Sequence, residues 1–108
     1  MKIPNAASLI LAFCLAMPIA NAGEVNKALC TFNGIPLRGK VKFVNSFPDI
    51  KIQVVSSFPD LNVQKVSAFP DSCGQWQIVD SFPDFTVQIV SSFPDVKVKW
   101  VSSFPGVN

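Results

Sequence analysis

Five aspartates stand at near-constant intervals: Asp49, Asp60, Asp71, Asp84 and Asp95 are eleven, eleven, thirteen and eleven residues apart. Carboxylates spaced in this way could do two kinds of chemistry. A ladder of hard oxygen ligands would hold calcium. Two carboxyl groups about 5–10 Å apart would catalyse glycoside hydrolysis. The surrounding residues favour a third, structural role. Each aspartate follows Phe-Pro, and an Asp after Pro closes a turn by accepting from the backbone beyond it. The glycines that surround the acids of calcium-binding β-helix repeats are missing at these positions. Turn closure is therefore the reading for all five, with calcium binding and catalysis as its rivals.

Other catalytic schemes lack their parts. The chain has no histidine and no tyrosine, and its only glutamate is Glu24. The serines Ser56, Ser57, Ser91, Ser92, Ser102 and Ser103 have no imidazole to activate them. They are expected to hydrogen-bond turn backbone instead. Trp76 and Trp100 would stack on a carbohydrate if exposed, but both occupy apolar positions and are expected in the core. No enzyme activity, cofactor or metal site is expected. Two thiolates without histidine do not complete a zinc shell, so Cys30 and Cys73 read as one disulfide of an exported domain. Closing a loop of 43 residues contributes about 4 kcal/mol in the chain-entropy model.

These side chains are positioned by a repeat. Its corners are Phe47-Pro48-Asp49, Phe58-Pro59-Asp60, Phe69-Pro70-Asp71, Phe82-Pro83-Asp84, Phe93-Pro94-Asp95 and, with glycine last, Phe104-Pro105-Gly106. Three residues before each Phe stands a valine (Val44, Val55, Val66, Val79, Val90, Val101). Six before stands an apolar residue (Val41, Ile52, Val63, Trp76, Val87, Val98), and five before a Lys or Gln. Alternation in Ile50–Val54, Phe85–Ile89 and Val96–Trp100 is a strand signal. Proline every eleven residues excludes a helix. Each unit is thus a short strand followed by a corner. Proline should hold the preceding Phe extended, and Phe should turn inward as an anchor worth about 1.5–3 kcal/mol. Gly106 should relax a last corner with no strand after it. Pro36, in Ile35-Pro36-Leu37, reads as a degenerate seventh corner. The fold class is all-β, a compact array of short strands in 11-residue repeats, and periodicity alone leads to a β-solenoid or meander.

Residues 1–22 read as a signal peptide: Lys2, an apolar run from Leu9 to Met17, and the small-x-small site Ala20-Asn21-Ala22. Phe13 before Cys14 argues against lipidation. The remainder, 23–108, is one β-repeat domain with eight Lys or Arg against seven Asp or Glu. That balance argues against nucleic acid as a partner. Arg38, Lys40, Lys42 and Lys51 lie at strand spacing, as on a solvated face. A periplasmic or secreted monomer is expected, without stable membrane insertion once the signal is removed.

The corners, the Gln between apolar positions, and Cys73-Gly74-Gln75-Trp76-Gln77 resemble the septoil-knot family of small bacterial repeat proteins, over about Cys30 to Asn108. The resemblance implies a compact all-β domain whose backbone forms a deep seven-crossing torus knot; a match of the seven proline corners to the seven crossings is a separate hypothesis. True knots are almost absent from protein folds, so this expectation comes from the family alone. It supplies no catalytic or binding residues. The functional expectation is a stable, non-catalytic binding or structural module, with a glycan-acting hydrolase or an inhibitor of an envelope hydrolase as alternatives.

Overall fold

The computed structural model describes residues 24–108, and every regular element among them is a strand. The expected signal peptide lies outside the described residues. Three two-residue strands come first: β1 (Val25–Asn26), β2 (Thr31–Phe32) and β3 (Ile35–Pro36), in a small antiparallel sheet. The β2–β3 turn is Asn33-Gly34, both at positive φ (50° and 83°), the standard two-residue hairpin chemistry. The repeat then supplies β4 (Gly39–Phe43), β5 (Ile50–Val54), β6 (Leu61–Lys65), β7 (Gln75–Ile78), β8 (Phe85–Ile89) and β9 (Val96–Trp100), and β10 (Gly106–Val107) ends the chain.

The six long strands close into a parallel barrel in the order β4-β8-β5-β9-β6-β7, with β7 returning to β4. The chain makes two laps. β4, β5 and β6 leave a gap between successive strands, and β8 and β9 fill those gaps on the second lap. Each strand shares its length between neighbours: Phe85–Val87 pairs with Val41–Phe43, and Val87–Ile89 with Ile50–Ile52. That stagger is the shear of a tilted barrel. It brings the end of β4 and the start of β5 level with one residue of the strand between them, Val87. The connection therefore has only to step sideways over β8. This is how a parallel barrel can close with corners of so few residues, where a parallel crossover ordinarily needs a dozen or more.

Five corners step over a strand of the other lap in this way. The Phe47 corner crosses β8, Phe58 crosses β9, Phe82 crosses β4, Phe93 crosses β5 and Phe104 crosses β6. The Phe69 corner sets out across β7 like the others, Val66 N–H donating to Trp76 C=O at 2.9 Å, but the two extra residues turn it back to become β7 itself. Pro36 lies exposed in β3 and crosses nothing. Among the seven proline positions, five therefore step over a strand of the other lap. The chain does not end at the last corner: β10 follows it and pairs antiparallel with β6.

Inside the barrel lie two residues from most strands. Those six before Phe are all buried, and so are Ile50, Leu61, Phe85 and Val96 two positions earlier. Phe32 and Leu37 complete the core. Trp76 sits edge-on to Phe85 and Trp100, with ring centroids 5.6 and 6.0 Å away, and its Nε1–H donates to Leu37 C=O. Trp100 is only half-buried, with Lys65 Nζ 4.3 Å from its ring centroid. Cys30 and Cys73 form the expected disulfide (Cα–Cα 6.0 Å), tying the entrance of the array to its middle.

Candidate functional site

The corners are fastened to the strands they cross. Asp84 N–H donates to Lys40 C=O at 2.7 Å, while Lys40 N–H donates to Asp84 Oδ2 at 2.8 Å. Asp95 holds Lys51 in the same two-point way, Asp60 holds Lys97, and Asp49 holds Thr86. The aspartates thus do not close their own turns as expected. They accept from backbone 37 or 44 residues distant. The reason is local: a corner lying flat across a strand brings its carboxylate against the outward N–H of that strand, which no neighbour satisfies.

Glutamine supplies a further fastening. Gln88 Nε2–H donates to Asn45 C=O, Gln53 to Ser91 C=O and Gln64 to Ser102 C=O, each reaching the corner that crosses its own strand. Ser91 and Ser102 join through their carbonyls rather than through the hydroxyls expected from the sequence.

Asp71 is the exception. Its N–H bonds Phe69 C=O within its own corner, and its carboxylate lines a surface hollow of about 460 Å³ with Arg38, Lys40 and Asp84.

The phenylalanines reverse their expected role. All six corner residues, Phe47, Phe58, Phe69, Phe82, Phe93 and Phe104, are 82–97% exposed. All six are left-handed rather than extended, with φ between 51° and 57°. The barrel interior is already filled by strand residues, and a corner outside the wall offers no route into it. The half-buried group of every corner is the proline, which needs no donor there. Because corners cross equivalent points of successive strands, the phenyl rings form a belt around the barrel.

The 7(1) septoil knot domain matches residues 34–108. This chain belongs to the septoil knot family. The chain is also 56% identical over 73 residues to the uncharacterized protein slr1025 of Synechocystis sp. (strain ATCC 27184 / PCC 6803 / Kazusa), covering 63% of this chain and 65% of that relative. The interleaved laps give the septoil knot a mechanical basis, since each lap repeatedly passes over strands of the other.

Proposed function

We propose that this chain is an exported, non-catalytic binding module whose recognition surface is the phenylalanine belt. The observation that carries the reading is the double cost at every corner. An exposed phenyl ring gains little from folding, and a left-handed backbone costs a residue with a Cβ about 1–2 kcal/mol. Gly or Asn would suit that backbone better. Six copies that are unfavourable to the fold call for an advantage outside it. The aspartates support the same reading, because four of the five repeat carboxylates are engaged in holding wall backbone.

The test is retention of purified protein on a washed native envelope fraction, comparing the natural chain with one carrying Phe→Ser at all six corners. Retention that depends on the rings is expected, and equal retention of both proteins overturns the reading. The enzymatic rival rests on the hollow shared by Asp71 and Asp84. Polysaccharide turnover lost in Asp71→Asn would establish it instead.

A further inference from the structure

The belt is not uniform. On the contiguous wall β8-β5-β9 the corners present Phe47, Phe93 and Phe58. The outward positions of β5 and β9 carry Lys51, Lys97 and Lys99, with Lys42 on the flanking β4. On the opposite wall, Phe104 and Phe69 stand over β6 and β7, which carry Asn62, Gln64, Gln75 and Gln77, with Lys65 at the end of β6 and Lys40 of β4 beside Gln77. The first side therefore sets three lysines beside its rings, whereas the second is mainly amide and its own lysine, Lys65, is drawn over the Trp100 ring.

The acidic groups of the first wall do not cancel this arrangement. Asp49, Asp95 and Asp60 are held against strand backbone with Oδ2 2.8–2.9 Å from an N–H. Lysine side chains extend outward on flexible stems. The carboxylates are tied to the wall by these bonds, whereas the rings and the ammonium groups are free to meet an approaching plane. That charge order is complementary to an anionic surface.

Shape narrows the partner further. The rings project singly from a convex wall, each almost wholly free, where a protein interface would be expected to present a flush, packed core. Separate aromatic wedges flanked by lysine suit a deformable phase that closes around each ring, as at the headgroup boundary of a bilayer.

We infer that the β8-β5-β9 wall docks side-on to an anionic lipid surface, inserting Phe47, Phe93 and Phe58 while the neighbouring lysines contact headgroups. This rests on the belt being a binding surface and adds its partner and its side. Docking is shallow, because the wall between the rings is polar.

The experiment uses the mature, oxidised chain with vesicles of phosphatidylglycerol and phosphatidylcholine in equal parts, and with phosphatidylcholine alone, read by co-sedimentation. The natural protein is expected to pellet with the mixed vesicles and more weakly with the neutral ones. The triple variant Phe47→Ser, Phe58→Ser, Phe93→Ser should lose affinity by about tenfold per ring. The double variant Phe69→Ser, Phe104→Ser should lose far less vesicle affinity than the triple variant, and Lys51→Gln with Lys97→Gln and Lys99→Gln should abolish the preference for anionic vesicles. Melting temperatures confirm that each variant is folded. The inference is overturned if the natural protein stays in the supernatant, if both vesicles bind equally, or if the two Phe sets weaken binding alike. Light scattering supplies a further arm: concentration-dependent self-association removed by the triple variant makes a second copy the occupant. That result, or absent vesicle binding alongside ring-dependent envelope retention, sinks the lipid inference while leaving the binding module intact.

Discussion

Replacing Phe93 by Asn separates the two possible roles of the corner ring by the sign of the stability change. As an inward anchor, Phe93 would contribute about 1.5–3 kcal/mol, and losing it from a packed core would cost about as much or more. In the structure the ring is 91% exposed, so almost no burial is lost. Its backbone sits at φ 54°, a conformation that costs Phe about 1–2 kcal/mol and that Asn tolerates. The expected outcome is a gain of about 1 kcal/mol. For a domain of this size each kcal/mol moves the melting temperature by about 4–8 °C. Phe93→Asn should therefore melt about 4–8 °C higher, where the anchor role demands a fall of about 6 °C or more. Circular dichroism melts at one scan rate, with a urea midpoint as a second measure, read the difference easily. The same change at Phe47 should add nearly independently, since the two corners cross different strands. A loss above about 1 kcal/mol at either site would refute the claim that the rings stand outside the fold.

The clamps and crossings carry further expectations. Asp95→Ala leaves the Lys51 N–H without its carboxylate and should cost about 1.5–3 kcal/mol in urea titration, whereas Asp71→Ala should be close to neutral. Equal costs would show that the clamp is not what the aspartates contribute. Reducing Cys30–Cys73 opens a 43-residue loop and should lower stability by up to about 4 kcal/mol, seen as a lower melting temperature in reductant. Gly74 and Gly34 share φ +83°, but a Cβ on Gly74 would lie 2.5 Å from Asn62 O and 2.7 Å from Gly106 N, while Gly34 faces open space. Gly34→Ala should cost about 1–2 kcal/mol from backbone strain alone. Gly74→Ala should cost clearly more in the same melts, because the backbone entering β7 must move away from β6 and β10, and similar values would contradict the close approach.

Much of this architecture is legible along the chain. Alternation and proline spacing mark the strands, and the apolar residues six before Phe all reach the core. The odd thirteen-residue interval marks the place where the second lap begins, and Cys30 and Cys73 find each other across it. These are local or compositional properties, and elementary propensities act on them directly. The Asn33-Gly34 hairpin turn is a local signal of the same kind. The candidate site was not legible. Whether a phenyl ring faces in or out depends on whether the space behind it is already full, and that space is filled by strands as many as five repeats away. Whether an aspartate caps its own turn or binds a strand 44 residues distant depends on which strand the corner crosses. Amino-acid order settles what each repeat can become, whereas interleaving the two laps decides what each corner touches, because hydrogen-bond partners and burial belong to the closed barrel and to no single repeat.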